Sequence, residues 1–400
     1  MSELMNSNDV TKPRLKFIDM ARSIAILLMI EGHFTGASLS SDYRTYDYSL
    51  FRIWHLTHGL TAPLFFTITG VIFVYLLTSS RDVRFLDNIR VSKGLKRILQ
   101  LLFWGYLIQL NLWAIGKSFY YGTEINLNWF YAFHVLQSIA FGIAFLILIY
   151  GVYKWLNWGA LQWYYLIAGL GMFALYGIMK EYINLDKELI EEGVKTLPSY
   201  WPNNAPAFIQ NMFYGQHSDF SFIRISGYTI LGGMVGCLIR VYEHRVKELW
   251  FGGSFIIIGL LISFFVRDWL VQVDNLIEWV GLTDKGSCTY TATSLSRFGQ
   301  VIVLLGILIL IDKFFEVKAK LFLKIGQNTF PIYVVHVIIL YGGILGFGLK
   351  PNLFNRSLDP WFSVSISVIA LFTFVLMVKY IEPLEAQYNK VLRYLRIKKP

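Results

Sequence analysis

Arg22 and His33 stand eleven residues apart in a single apolar stretch. At 100° per residue, eleven residues make three turns plus about 20°, so on a helix the two side chains share a face, separated by roughly 16 Å along the axis. Asp19 and Glu31 belong to the same stretch. Ionisable groups are costly inside a bilayer, so each is a candidate for function before it is a candidate for packing. Asp19 precedes Arg22 by three residues, a spacing that lets a carboxylate and a guanidinium pair on a helix. The structural alternative has Arg22 snorkelling to one interface while His33 caps the opposite end.

A second histidine group follows in Trp54-His55-Leu56-Thr57-His58-Gly59. If the next apolar stretch starts there, His58 enters the membrane at about the depth of His33. Two imidazoles in one layer suit acid/base or nucleophilic chemistry, because neutral imidazole takes a proton near pH 7. His55 reads more simply as interfacial. His134 falls in a similar layer, with Gln137 on nearly the same helix face. His336 lies mid-way along a late apolar stretch, deeper than the others, where lining a passage and making a packing hydrogen bond are equally economical.

Other chemistries find little support. Cys237 and Cys288 are the only cysteines, one in an apolar stretch and one in a loop, so neither a disulfide nor a metal cluster is expected. His33, His55 and His58 could form only an accidental metal site. Neither a Walker loop nor a dinucleotide fingerprint on a strand-to-helix turn occurs.

The composition sets the frame that must hold these residues. Of the 400 residues, 55% are hydrophobic and only 16% charged, with a mean hydropathy of +0.50. Soluble domains carry nearer a quarter charged residues. The net charge of +10 does not indicate nucleic acid, since the basic residues gather in short segments between apolar ones. Ten stretches are long enough to cross a bilayer: 17–37, 53–78, 98–118, 131–152, 162–180, 224–241, 250–270, 298–315, 327–349 and 360–381. Helices satisfy their own backbone in lipid, so the expectation is an all-α polytopic bundle of about ten transmembrane helices.

With the N-terminus inside, internal segments hold 23 Lys and Arg and external loops 12. The positive-inside rule therefore predicts both termini in the cytoplasm. Residues 1–16 read as a cytoplasmic tail, 17–382 as the membrane domain and 383–400 as a basic amphipathic tail on the inner leaflet. No small-residue cleavage site follows the first apolar run, which is expected to act as a signal anchor. The longest external loops are predicted at 181–223 and 271–297. The first carries Tyr200, Trp201, Pro202, Phe208, Phe213 and Tyr214, and its aromatics either anchor at the interface or stack on sugar rings. Gly-Gly pairs at 232–233 and 342–343 suit close helix packing.

Several of these motifs together resemble the transmembrane acyltransferase superfamily, which includes the heparan-α-glucosaminide N-acetyltransferase family with its bacterial relatives and the acyltransferase-3 family. Arg14 to His33 is similar to the first-helix signature, and its Arg-x10-His spacing matches that of the acyltransferase-3 branch, where the pair is functional. Thr57-His58 followed by Ala62-Pro63-Leu-Phe-Phe-Thr-Ile-Thr-Gly70 resembles the second-helix signature of the heparan-type relatives, whose lysosomal branch uses the histidine at that helix start for catalysis. His134-Val-Leu-Gln137, Gly326-Gln-Asn-Thr-Phe-Pro-Ile-Tyr333-Val-Val-His336 and Glu382-Pro-Leu-Glu385 are weaker matches, but they extend the resemblance over nearly the whole chain. Ser23 replaces the usual glycine, two extra residues separate His58 from Ala62-Pro63, and the lysosomal branch lacks a histidine at the position of His33. Both histidines therefore stay open as the catalytic residue.

The resemblance implies an integral-membrane enzyme, expected in a bacterial inner membrane, that moves an acetyl or other acyl group from acetyl-CoA or another acyl-CoA to an external glycan or amino-sugar acceptor. His58 and His33 would be catalytic. Arg22, with Asp19, would bind the cofactor, and the basic loop 81–97 would help it meet the CoA phosphates. His134, Gln137 and His336 would line the site. No metal and no nucleic acid is expected, and a homodimer is left open. The alternative from another class is a transporter whose midplane histidines relay protons, a reading that internal sequence symmetry would favour and that none supports by eye.

Overall fold

The computed structural model describes residues 15–79, 84–124, 130–183, 206, 209, 222–281, 288–315 and 318–394, giving only the backbone at 179–183 and 384–394. The aromatic residues expected to mark the 181–223 loop lie outside these segments. Among the described residues the chain is helical, with one isolated backbone bridge between Leu39 and Leu358 and no strand.

The first helix, α1 (Lys16–Ser38), is the axis of the assembly. It is buried nearly all round, with Ala21, Ala25, Ile26 and Ile30 fully enclosed. A helix buried on every side must be surrounded by others, and this one packs against six other α-helices. It is not among the helices recognisable as spans by length and composition. Seven described helices meet that standard, or nine when two bent pairs each count as one span. The expectation of about ten included α1 as a further span.

The second predicted span is α2 (Ser49–His58) followed by α3 (Thr61–Leu77). Pro63 has no N–H to bond Gly59, which places the joint between the two helices. The third is bent by 45° between α4 (Ile89–Leu107) and α5 (Leu112–Tyr121). At that bend the Asn111 side chain caps α5 by accepting from Ala114 N at 2.9 Å, and the amides of Leu112 and Trp113 donate to the carbonyls of Ile344 and Leu345. Next come α6 (Val135–Leu156), α7 (Leu161–Ile183) and α8 (Phe222–Val241).

Helix α9 (Leu249–Trp279) runs for 31 residues, and α10 (Ala292–Phe314) begins soon after it. Residues 271–279 and 292–297 of the external loop expected at 271–297 are therefore helical. Asp274 makes the connection, accepting from the backbone N–H of Cys288 at 2.9 Å and of Thr289 at 2.8 Å. Two short helices, α11 (Lys320–Gln327) and α12 (Thr329–Tyr341), meet at 73° around Asn328. The last helix, α13 (Pro360–Tyr394), continues through Pro383, so the first part of the basic tail prolongs a helix that starts in the apolar region.

Small residues set the closest approach in the bundle. A Cβ on Gly232 would overlap the Thr67 carbonyl of α3, and one on Gly70 would overlap the Thr229 carbonyl of α8. This glycine seam lets the two backbones touch, the usual device where no hydrophobic effect drives helices together. The pair at 342–343 does something different from the packing role expected of it. Gly342 (φ +91°) and Gly343 (φ +42°) form the turn that ends α12.

Candidate functional site

Two chambers open within the bundle, and Leu136 and Tyr333 form part of the wall of both. The larger has a volume of about 820 Å³. His33, His58, His134 and Gln137 all border it, together with His55 and Trp54. The smaller, about 230 Å³, is bordered by Arg22 and Arg97 among apolar side chains such as Phe65, Ile72 and Ile139. Thus the two ends of α1 serve different chambers, Arg22 the smaller and His33 the larger. The common face predicted from their spacing is the face turned to this interior.

Each histidine is placed by its own element. His33 sits on α1 beside α12, its Nδ1 3.0 Å from Nε2 of His336. His336 is completely enclosed, and its own Nδ1 lies 3.3 Å from the Ile332 carbonyl. His336, expected among the residues lining the site, thus lies behind His33 and does not border the larger chamber. His58 ends α2. Its ring lies flat on Trp54, with centroids 5.0 Å apart and planes within 4°, and its centroid is 6.5 Å from that of His33. Its Nδ1 is buried with no hydrogen-bond partner. Gly32 allows this placement, because a Cβ there would overlap the imidazole.

Trp54 is held in turn. Its indole N–H donates to Glu31 Oε1 at 2.9 Å, and the same oxygen accepts from the Thr35 hydroxyl at 2.8 Å. The intramembrane carboxylate Glu31 is therefore spent on the aromatic that carries His58. His134 forms the N-cap of α6. Gln137 is buried and donates to Gln109 Oε1 at 2.6 Å, while its own Oε1 has no partner. His55 is exposed, its Nδ1 3.2 Å from the Tyr46 hydroxyl. Among the described residues no group of three or more His, Cys, Asp or Glu is arranged to hold a metal ion.

In the smaller chamber, Arg22 donates to the Thr329 hydroxyl at 3.3 Å. Asp19 lies behind it with Oδ1 3.9 Å from Nη1, and Asp19 does not border either chamber. The Arg97 guanidinium is 4.5 Å from the centre of the Phe330 ring. Three further cations, Arg44, Lys350 and Arg356, border the larger chamber, and among the described residues none of its lining is a carboxylate. Arg44 is fixed by bonds to the Leu39 and Gly36 carbonyls. Arg356 follows a chain segment tied to the end of α1, its N–H donating to the Ala37 carbonyl at 3.1 Å.

Sequence reading did not single out Trp54, Glu31, Arg44, Lys350 or Arg356 for these places. For Glu31 the signal was available, since a carboxylate in an apolar helix needs a partner. The three outer cations stand in loops, where a basic residue carries no such signal.

The resemblance read from the motifs is matched by comparison with known families. Residues 14–202 match the family model described as heparan-alpha-glucosaminide N-acetyltransferase, catalytic, a stretch just under half of the chain that contains Arg22, His33, His58, His134 and Gln137. No curated protein matches the chain.

Proposed function

We propose that this chain, similar over residues 14–202 to the catalytic domain of heparan-α-glucosaminide N-acetyltransferases, is a membrane acetyltransferase that takes its acetyl group from acetyl-CoA. One observation carries the reading: a small chamber with two arginines adjoins a large chamber with histidines, and Leu136 and Tyr333 belong to both. A CoA thioester has the complementary form, with phosphates at one end, a thin pantetheine arm and a reactive carbonyl at the other.

In this reading Arg22 and Arg97 meet the phosphates, since guanidinium groups give charge-assisted and often bidentate bonds to such oxygens. With the N-terminus inside, that chamber faces the cytoplasm, where acyl-CoA is made. The arm passes Leu136 and Tyr333, and the thioester carbonyl reaches His33 and His58. The acceptor enters the larger chamber from outside. Its amine or hydroxyl attacks the carbonyl carbon while one imidazole takes the proton. The carbon–sulfur bond breaks, and the protonated imidazole returns the proton to the CoA thiolate. Acetylated acceptor and free CoA are the products, and only the acetyl group has crossed the membrane.

The lining among the described residues, with Arg44, Lys350 and Arg356 and no carboxylate, supports an acceptor that carries an anionic group near its reacting amine or hydroxyl, such as an acidic amino sugar. The test is purified protein in lipid nanodiscs with acetyl-CoA labelled in the acetyl group and a panel of amino sugars. Release of CoA coupled to label on the sugar is the expected outcome. Absence of both acetyl-CoA binding and CoA release would overturn the reading, and proton-coupled sugar uptake in proteoliposomes would put the transporter in its place.

A further inference from the structure

We propose that His336 is a positioning residue: buried behind His33, it fixes the tautomer in which His33 presents an unprotonated Nε2 to the chamber. The inference rests on the acetyltransferase reading for its consequence but not for its geometry. His336 has no exposed surface and both its ring nitrogens are engaged. Nδ1 lies 3.3 Å from the Ile332 carbonyl, an oxygen that can only accept, so that nitrogen carries the proton. A neutral imidazole has one N–H. Nε2 of His336 is therefore an acceptor, and the hydrogen across the 3.0 Å contact belongs to Nδ1 of His33. The remaining nitrogen of His33, Nε2, keeps its lone pair.

The ring contacts hold this arrangement in place. The His336 and His33 ring planes lie 30° apart with centroids at 5.1 Å, as an edge-to-edge contact between ring nitrogens requires. Tyr333 meets His336 edge-on at 5.0 Å, and Tyr341 meets His33 edge-on at 5.9 Å. A side chain that orients a ring nitrogen by bonding the opposite one is the general means by which a histidine base is set. Here the acceptor is a second imidazole instead of a carboxylate. When His33 takes a proton at Nε2, its Nδ1–H becomes the stronger donor and His336 Nε2 stabilises the cation without itself being charged beforehand. No carboxylate contacts either ring among the described residues, in keeping with a base that must stay neutral between turnovers.

Two variants and two readouts test this. His336→Gln keeps an acceptor oxygen near the place of Nε2, and His336→Leu removes it. With 15N-labelled histidine in nanodiscs, NMR of the wild-type protein should show His33, identified by its loss in His33→Asn, protonated at Nδ1 and bare at Nε2. His336→Gln should keep that pattern, and His336→Leu should give a mixture of both tautomers. In turnover, His336→Leu should lower kcat by about 10²-fold with KM for acetyl-CoA changed less than about twofold, while His336→Gln recovers to within about tenfold of wild type. Acetyl-CoA binding by His336→Leu verifies that it is folded. A wild-type His33 protonated at Nε2, or a pattern unchanged in His336→Leu, would overturn the assignment even if acetyl transfer is robust. The stated tautomer pattern without acetyl transfer would instead count against the acetyltransferase reading alone.

Discussion

The α-carbon of Gly32 lies so close to the Nδ1 side of the His58 imidazole that a methyl group on it would overlap the ring. A residue with no chemistry of its own thus brings α1 and α2 to the distance at which His33 and His58 face one chamber, with ring centroids 6.5 Å apart. Gly32→Ala should displace the His58 imidazole while removing no polar group from the chamber. Because a misplacement of about 1 Å can cost 10²-fold in rate, the expected result is a fall in kcat of that order with acetyl-CoA affinity kept. Steady-state turnover and calorimetric binding of acetyl-CoA on the same preparation provide the check, and normal kcat would show that His58 is not held at the reaction.

The support of His58 from its other side gives a graded series. Trp54 stacks on the ring and is anchored by Glu31. Aromatic contacts of this kind contribute about 0.5–1.5 kcal/mol, equivalent to roughly two- to tenfold. Trp54→Ala should therefore lose about tenfold in kcat and Trp54→Phe, which retains a ring but not the indole N–H, about threefold or less. Equal losses in the two variants would shift the importance from the stack to the hydrogen bond with Glu31.

Orientation is testable with single cysteines. Asp47, before α2, and Leu86, between α3 and α4, are both exposed and lie on opposite sides in the N-in arrangement. Background labelling should be low, because Cys237 is buried and the Cys288 thiol is pushed up to about 11, first by burial and then by the nearby Asp274 carboxylate. It is almost entirely protonated near pH 7 and becomes reactive only as the pH approaches that value. In intact cells at pH 7, an impermeant maleimide should modify Asp47→Cys and not Leu86→Cys. The reverse pattern would invert the topology and place the arginine chamber away from the cytoplasm.

Most of the helical plan could be read from hydropathy, since an apolar run near 20 residues has few other uses. The bends could not. A hydropathy window averages through the joints at 108–111 and at Asn328, and the charged first half of α4 pushed the predicted start of the third span to residue 98, nine residues after the helix begins. Charge in α1 marked candidates because carboxylates and an arginine are costly in an apolar helix. The partnership of His33 with His336 spans 303 positions, and no local pattern encodes it; it follows from how α12 packs on α1. Asp19 marks the opposite limit. Its spacing from Arg22 correctly brought the two side by side, but spacing alone could not show that only Arg22 borders a chamber.

The two chambers make different predictions for substitutions at their charged ends. Arg22→Ala and Arg97→Ala should each weaken acetyl-CoA binding by roughly 10- to 100-fold, from the ~1.5–3 kcal/mol typical of hydrogen bonds to charged groups. Arg22→Lys should recover part of this, since an ammonium keeps the charge but not the planar fork. Arg44→Ala and Arg356→Ala should leave acetyl-CoA affinity unchanged and raise KM for an anionic acceptor. Titration calorimetry with acetyl-CoA separates the two sets, and a loss of acetyl-CoA affinity in Arg356→Ala would mean that the nucleotide occupies the larger chamber instead.

The final prediction divides the labour between the two chamber histidines. Both face the space where the thioester carbonyl would lie, but only His33 has a partner on the nitrogen turned away from it, while Nδ1 of His58 is buried without one. A ring whose tautomer is fixed suits the base, and a ring held by stacking suits contact with the carbonyl oxygen or the leaving sulfur. His33→Ala and His58→Ala should each lower kcat by about 10²- to 10⁴-fold while acetyl-CoA binding is retained. Because residues that act as one unit are strongly non-additive, the double variant should be little worse than the poorer single one. Rates that multiply in the double variant would mean that the histidines serve separate steps, and near-normal turnover in either single variant would remove that histidine from the chemistry and bring His134, on the same chamber wall, forward in its place.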